Sequence, residues 1–170
     1  MLRPAAVLVP LIHQQNTWHV LLTRRTETLN RHKGQVALPG GVQEGDDVDV
    51  VDTALREAQE ELGIPPHQVE VVGRLDPQPV ISGYLVYPIV GILPRGLPLT
   101  PSPEEIARVF TVPLPWLADP HRVRVEYREW AGFRYPVYVY EPYGGEVIWG
   151  LTARILRNLL DVLWGPLREP

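Results

Sequence analysis

The sequence predicts a fold that mixes strands and helices, of the α/β or α+β class. Two observations support this class. Apolar runs rich in valine and isoleucine recur along the chain and are bounded by turn residues, which is typical of strands. Two other segments, residues 51–62 and 151–164, instead repeat apolar residues at the spacing of an amphipathic helix. With 170 residues the chain is most simply one domain, residues 1–170.

The elements are expected in a definite order. The strands are predicted at residues 5–12, 18–23, 69–75, 84–93, 109–112, 122–130 and 133–140, and the first two and the last two form hairpins. Residues 76–83 and 94–103 contain prolines and are expected to be loops, and residues 115–117 to form a brief helical turn. Pro88 indicates that its strand is an edge strand or carries a bulge. The last helix starts near Thr152 and stops before Gly165.

Composition excludes several classes of function. The formal net charge of −4 argues against a nucleic-acid surface, which would carry a basic stripe. The absence of cysteine removes disulfides, thiolate nucleophiles and cysteine-based zinc sites. No signal peptide is recognisable and no apolar run approaches the roughly 20 residues of a membrane span. We therefore expect a cytoplasmic protein that binds neither membrane nor nucleic acid, and a homodimer is compatible with the sequence.

The residue pattern also argues against several catalytic chemistries. The five histidines are never at metal-ligand spacing. The two serines, Ser82 and Ser102, do not lie in a nucleophile elbow, and the chain has no phosphate loop of the Gly-Lys-Ser/Thr type. What remains is attack by water with the help of a metal ion.

The chain is organised around residues 38–64, which run from an apolar strand end through a glycine turn and an acidic loop into a helix. At about 100° per residue, Glu57, Glu60 and Glu61 share one helix face, and Val51, Leu55, Ala58 and Leu62 share another that can pack. Three carboxylates on one face repel one another. Hard divalent cations such as Mg²⁺ take carboxylate oxygens as ligands, so a metal site is one interpretation. An acidic, solvated helix after an ordinary turn is the other.

The glycine turn, the acidic loop and the glutamate helix are each common, but their order in residues 38–64 is far more specific. It resembles the signature of the Nudix hydrolases. These are Mg²⁺-dependent enzymes that cut a diphosphate linked to another group. The residues that match are Gly41, Arg56, Glu57, Ala58, Glu60, Glu61, Gly63 and Ile64. The chain departs from the pattern in two places: Asp47 stands where a glutamate is usual, and the segment from there to Arg56 is one residue longer. Neither change touches the three glutamates.

The resemblance implies a mixed sheet sandwiched between helices, an α/β/α sandwich. It also implies that Mg²⁺ or Mn²⁺ is bound directly by Glu57 and Glu61, with Glu60 assisting and the Gly41 carbonyl as a further ligand. Arg56 would orient Glu57 through a charge-assisted hydrogen bond. A simple surface salt bridge is the alternative role for Arg56.

A second motif resembles the coenzyme A pyrophosphatase branch of the same family. It comprises residues 21–26, 32–36 and 38–41, and that branch also has the longer loop. The chain departs from this motif at Thr26, Asn30 and Leu38. Asn30 is the departure of most consequence, because a cation expected near the nucleotide is missing there.

The resemblance further indicates which residues take the proton from water and which read the substrate. Glu105 is the candidate general base, with Glu104 as its competitor and a simple helix-start carboxylate as the alternative. The substrate-binding candidates are Arg25, Arg31, Ser82 and Tyr84. Arg25 comes first and Arg31 second among the cations that could read the 3′-phosphate of coenzyme A, because arginine binds phosphate in a bidentate manner. These cations could also be only solvated.

Together these features predict a pyrophosphatase that hydrolyses a nucleoside diphosphate derivative, with coenzyme A as the favoured substrate and 3′,5′-ADP and 4′-phosphopantetheine as products. Three alternatives stay open. The nearest is a related hydrolase of ADP-ribose or dinucleoside polyphosphates. A nucleotide-binding module without activity is disfavoured because all three glutamates are present. A structural or partner-binding protein comes last.

Overall fold

The computed structural model describes residues 1–28 and 33–166, which form ten strands and three α-helices. The strands are β1 Arg3–Gln14, β2 Thr17–Arg25, β3 Val36–Ala37, β4 Gly40–Val42, β5 Glu70–Arg74, β6 Gln78–Val80, β7 Tyr84–Ile92, β8 Ile106–Pro113, β9 Val123–Trp130 and β10 Phe133–Tyr140. The helices are α1 Val50–Leu62, α2 Leu114–Ala118 and α3 Gly150–Trp164. Short 3₁₀ turns occupy Pro66–Gln68 and Pro120–Arg122.

Strands β1 to β8 form one mixed sheet, and β9 and β10 form a separate hairpin. The long strand β1 lies at the centre of the mixed sheet. It pairs in parallel with β7 on one side and antiparallel with β2 and β4 on the other. Because β4 carries the glycine turn, this register fixes the turn against the N-terminal half of β1.

The two faces of the sheet bury two apolar clusters, as the alternation of side chains along a strand requires. Ala6 and Leu8 of β1 belong to the cluster beneath α1. Ala5 and Val9 point the other way and join the cluster beneath α3. One helix thus covers each face, and the predicted α/β/α sandwich is confirmed.

The first hairpin has a shorter turn than residues 13–17, the range expected from the sequence. Gln14 pairs directly with Thr17, and both intervening residues, Gln15 and Asn16, have positive φ of 51° and 61°. Two positive φ angles characterise the type I′ turn, whose twist matches that of the flanking strands. His13 is therefore a strand residue.

Two further expectations about strands are wrong. Residues 76–83 contain β6, and β7 is an internal strand with partners on both sides. Pro88 is tolerated there because pairing with β5 stops at Ile89 and pairing with β6 begins at Val86. The proline therefore lies at the gap between β5 and β6, where its missing N–H removes no hydrogen bond between strands.

The packing face of α1 is rotated from the one inferred by periodicity. Its buried residues are Thr53, Ala54, Ala58, Glu61 and Leu62, whereas Val51 and Leu55 are only partly buried. The face toward the sheet therefore includes a glutamate. A carboxylate turned toward the interior requires either a proton or a cationic partner.

Candidate active site

Helix α1 has well-defined ends. The carboxylate of Asp49 accepts hydrogen bonds from the backbone N–H groups of Val51 at 2.8 Å and Asp52 at 2.9 Å, which is a typical N-cap. At the other end Gly63 adopts φ 68°, and its N–H bonds back into the last turn. Fixed ends hold the glutamates of the second half of the helix in a defined position.

Arg56 joins the acidic loop to the helix. Its guanidinium donates to both carboxylate oxygens of Asp47, at 2.8 and 3.0 Å, and to the carbonyl of Val42 at 3.2 Å. The remaining nitrogen, Nη1, donates to Glu57 at 3.1 Å and to Glu60 at 3.3 Å. Arg56 is therefore more than a surface salt bridge, and the contact to Glu57 has the geometry that the orienting role requires.

Asp47 is buried, with 3% of its side chain exposed. Besides Arg56, it accepts hydrogen bonds from the N–H of Glu44 and the hydroxyl of Thr53, each at 2.9 Å. The hydrogen bond from Arg56 is the main cause that holds the pKa of Asp47 well below its usual range. The shorter carboxylate in place of the usual glutamate thus still anchors the arginine.

The glycine turn is needed for close approach. A Cβ on Gly41 would overlap the carboxylate of Glu57, coming within 2.6 Å of its Cδ. A Cβ on Gly40 would lie 2.7 Å from the Cα of Val7 on the neighbouring strand. The clash at Gly40 is with backbone, so only glycine fits there, whereas a Cβ at Gly41 would displace the carboxylate of Glu57. The Gly41 backbone therefore lies directly beside Glu57.

Glu57 and Glu61, one helical turn apart, are held in surroundings that disfavour their charged forms. Burial raises the pKa of Glu57, against the opposing effect of Arg56. Burial also raises the pKa of Glu61 to about 8. Arg25 opposes this second shift, while Glu57 and Glu105 add to it. We call Glu57, Glu61, Glu105 and Arg25 the carboxylate cluster, because their charges act on one another.

Glu60 is set apart from the other two helix glutamates. Its side chain is 56% exposed and contacts Arg56 at 3.3 Å. Glu61, by contrast, is 4% exposed. The structure therefore separates the two neighbours, with Glu60 toward solvent and Glu61 toward the sheet.

The structure distinguishes Glu105 from its competitor Glu104. Glu105 precedes β8, is partly buried, and raises the pKa of both Glu57 and Glu61. Its carbonyl accepts a hydrogen bond from the N–H of Thr26 at 2.9 Å, which ties its loop to the end of β2. Glu104 is exposed, and its carbonyl binds the hydroxyl of Thr26.

Arg25 lies at the end of β2, where a register shift follows Arg24. Its Nε is shut off from solvent and has no hydrogen-bond partner. Its charge acts on Glu61, so Arg25 is at the carboxylate cluster. Arg31, the second cation proposed to read phosphate, lies outside the described residues.

Ser82 and Tyr84 lie farther along the same end of the sheet. Ser82 is exposed in the turn before β7, and Tyr84 is half-buried opposite Arg3 of β1, with the guanidinium 5.6 Å from its ring centre. Gly41 is paired three residues further along β1, opposite Ala6. At about 3.3 Å per residue, the two positions are about 10 Å apart along the strand.

One feature of the site region could not be expected from the sequence. Glu146 is 5% exposed and binds Arg24 at 3.2 Å and Arg108 at 2.9 Å. Arg24, another cation of the segment before the glycine turn, is thereby paired with a carboxylate. The partners are 122 residues apart and no sequence signal links them.

The donor set suits a hard divalent cation, because every candidate ligand is an oxygen. Within residues 1–28 and 33–166 no three metal-ligating side chains already converge on one point. An ion held by Glu57 and Glu61 would therefore need further oxygen ligands, such as a backbone carbonyl, water or a substrate phosphate. The pKa of both glutamates is raised, and a bound cation would lower it again because it stabilises the charged carboxylates.

Neither of the two best-formed cavities in the described part of the chain includes the carboxylate cluster. The larger, about 340 Å³, is mainly apolar and lies at the far end of β1, around Ile12, Gln14 and Leu93. The smaller, about 240 Å³, is polar and lies beside α3. In the described residues no helix is both long and apolar enough to cross a membrane.

The sandwich and its helix of glutamates define a class of protein, the hydrolases built around a carboxylate-bearing helix that follows a glycine turn. The sequence profile of the NUDIX domain matches residues 1–131. The chain belongs to the Nudix hydrolase family, and it is an enzyme of that family.

Relatives and solved structures agree with this assignment. The chain is 48% identical over 160 residues to the uncharacterized Nudix hydrolase NudL of Photorhabdus laumondii, covering 92% of this chain and 83% of the relative. It is 42% identical to NudL of Escherichia coli O7:K1, covering 92% and 81%.

Among solved structures, the chain resembles the Nudix hydrolase RenU of M. smegmatis, with a TM-score of 0.58 and 24% identity over 69% of this chain and 74% of that one. It also resembles a C. elegans Ap4A hydrolase, with a TM-score of 0.57 and 20% identity over 65% and 80%. At these identities the likeness shows the fold alone.

We predict that Asp47→Asn destabilises the protein at neutral pH, because it leaves Arg56 without its ionic partner. Removing one member of a buried pair costs up to 3–5 kcal/mol, and asparagine retains one acceptor, so we expect a loss of about 2–4 kcal/mol in the free energy of unfolding. Urea unfolding at pH 7 measures it.

The pH dependence of that loss is a second part of the same test. Because the folded pKa of Asp47 is depressed, its contribution is complete above the unfolded value of about 3.9 and fades as the pH falls below it. The difference between parent and variant should therefore shrink below about pH 4. Asp46→Asn, at an exposed neighbour, is the control; an equal effect in both variants would contradict the role of Asp47.

We predict that Gly41→Ala abolishes most activity, because the added methyl group overlaps the carboxylate of Glu57. Gly45→Ala is the matched control, since a Cβ there meets open space. Hydrolysis rates with Mg²⁺ and thermal unfolding should be measured for both. Full activity in Gly41→Ala would show that Glu57 need not occupy this position.

Proposed function

We propose that this enzyme hydrolyses the diphosphate linkage of coenzyme A, releasing 3′,5′-ADP and 4′-phosphopantetheine, with Mg²⁺ or Mn²⁺ as cofactor. The observation that carries the hydrolytic part is the carboxylate cluster, in which two glutamates of α1, Glu105 and Arg25 act on one another beside the glycine turn. The motif of residues 21–41 carries the choice of coenzyme A. The cytoplasmic location and the homodimeric state of the protein are also predictions.

In this proposal Glu57 and Glu61 hold the cation, with Glu60 and the Gly41 carbonyl as additional oxygen donors. When bound, the cation neutralises phosphate charge and lowers the pKa of water. Arg56 keeps Glu57 in place, since the 3.1 Å hydrogen bond fixes one carboxylate oxygen. Asp47 in turn holds Arg56, so the orientation of Glu57 is set by a chain of two contacts.

Glu105 is proposed as the group that takes the proton from the attacking water. Water forms a new bond to phosphorus, the bridging P–O bond of the diphosphate breaks, and the proton passes to the carboxylate. Its partial burial and its electrostatic coupling to Glu57 and Glu61 support this role over Glu104.

The position of Arg25 changes its expected task. Its charge acts on Glu61, so it is better placed to attract the diphosphate than to read a remote 3′-phosphate. Tyr84 and Ser82, about 10 Å farther along β1, remain candidates for the pantetheine arm.

The central experiment is a panel of coenzyme A, dephospho-coenzyme A, ADP-ribose and a dinucleoside tetraphosphate, each with Mg²⁺ or Mn²⁺, with products identified by mass spectrometry. We expect the highest kcat/KM on coenzyme A. We also expect Glu57→Gln to lose about 100-fold or more, because removing groups that merely support a metal ligand already costs about 10–100-fold.

Two results would contradict the proposal in different ways. A clear preference for ADP-ribose would overturn the coenzyme A assignment and leave the hydrolase in place. Activity of Glu57→Gln within a few-fold of the parent, with the fold confirmed by circular dichroism, would instead remove Glu57 from the metal site.

We predict that Glu105→Gln lowers kcat by about 10²–10⁴-fold, the usual contribution of a general base. Glu104→Gln is the matched control on the adjacent, exposed residue and should stay close to the parent. A larger loss in Glu104→Gln would transfer the role to that residue.

A further inference from the structure

A polar cavity of about 240 Å³ lies between α3, β6 and β10, and none of its lining residues belongs to the carboxylate cluster. We call it the α3 cavity. It is on the face of the sheet covered by α3, whereas Glu57 and Glu61 are carried by α1 on the opposite face. The residues that matter here are Gln78, Tyr138, Arg154, Arg157, Asn158 and Asp161.

Four of these residues form one stripe along α3. Arg154, Arg157, Asn158 and Asp161 follow the spacing i, i+3, i+4 and i+7, which places them on one side of the helix. Two guanidinium groups therefore face the cavity against one carboxylate. Asp161 is exposed at the end of the stripe, whereas Arg157 is 6% exposed.

Arg154 lines this cavity, and its guanidinium is only partly satisfied by hydrogen bonds. Its Nη2 donates to the carbonyl of Pro79 at 2.9 Å, but its Nε is buried and has no hydrogen-bond partner. Burial lowers the pKa of Arg154, and it is the one influence resolved there. A buried donor without an acceptor is costly. Because Nε is shut off from solvent, an anion in the cavity would contact the terminal nitrogens of this guanidinium.

Arg157 is already held in place. Its guanidinium lies 4.7 Å from the ring centre of Tyr138, and its charge lowers the pKa of the Tyr140 hydroxyl against the larger effect of burial. That hydroxyl donates in turn to the carbonyl of Leu117 at 3.1 Å. A fixed guanidinium loses little freedom when it binds an anion, which favours affinity.

We propose that the α3 cavity binds a phosphate group of a small molecule, with Arg154 as the main contact and Arg157 as the second. The planar guanidinium fork matches phosphate oxygens in a bidentate manner. Cavities that hold drug-sized ligands measure about 300–1,000 Å³. The smaller volume here suits one charged group and its attachment rather than a whole nucleotide.

The phosphate could come from two sources. One is a phosphate of the substrate remote from the diphosphate, such as the 3′-phosphate of coenzyme A, and this source rests on the proposed function. The other is a separate phosphorylated small molecule. Both present the same chemistry to the two arginines, so binding is tested first and the source second.

Binding is tested by titrating inorganic phosphate into the metal-free protein while following amide chemical shifts by NMR. We expect saturable shifts centred on α3, weakened at least tenfold in Arg154→Met. Arg95→Met, at an exposed loop arginine, should bind like the parent. Glu57→Gln should also bind like the parent, because the carboxylate cluster is not involved.

Asp161→Asn provides an independent variant that does not depend on removing a buried group. Loss of the cavity's carboxylate should tighten phosphate binding. Arg154→Met should itself fold, since Arg154 is only partly buried and methionine keeps the apolar part of its side chain. No saturable binding to the parent, equal binding to Arg154→Met, or loss of binding in Glu57→Gln would overturn the proposal.

The source is then found from kinetics. If the phosphate belongs to the substrate, Arg154→Met should raise the KM for coenzyme A several-fold and leave that for dephospho-coenzyme A unchanged. If the ligand is separate, both KM values should be unchanged while phosphate binding is still lost. An inactive enzyme that nevertheless binds phosphate at α3 would contradict the proposed function alone.

Discussion

The contact on which the site depends is the paired hydrogen bond between Arg56 and Asp47. It closes the acidic loop onto α1, and the same guanidinium then reaches Val42 on the glycine turn and Glu57 on the helix. Three segments that are separate in the chain are thereby held by one side chain. Because Asp47 is buried and Arg56 largely so, solvent screens this contact less than it would an exposed pair.

That contact makes an unfavourable arrangement of carboxylates tolerable. Glu61 is turned toward the sheet, and burial with the nearby charges of Glu57 and Glu105 raises its pKa to about 8. Arg25 offsets part of the repulsion and Arg56 another part. A structure that only needed a stable helix would place an apolar residue at position 61. The free-energy cost of burying the Glu61 carboxylate is understandable if binding of a cation and a phosphate offsets it.

Local patterns were sufficient for the hairpins, the two long helices and the turn of the catalytic segment. They failed where distant parts of the chain decide the outcome. Pro88 is internal because β5 and β6 leave a gap opposite it, and Arg24 is occupied by Glu146 from the far end of the chain. The rotation of α1 that buries Glu61 was missed for a related reason: periodicity ranks apolar residues and cannot value a carboxylate facing the core.

The sheet separates two kinds of arginine chemistry. On the α1 side, Arg56 is saturated by loop and helix oxygens and acts within the protein. On the α3 side, Arg154 lines a polar cavity and retains a buried Nε without a partner. Arg25, at the carboxylate cluster, also has a buried Nε without a partner. Because a buried guanidinium N–H without an acceptor is costly, these two arginines are held less favourably than Arg56, whose donors are met by loop and helix oxygens.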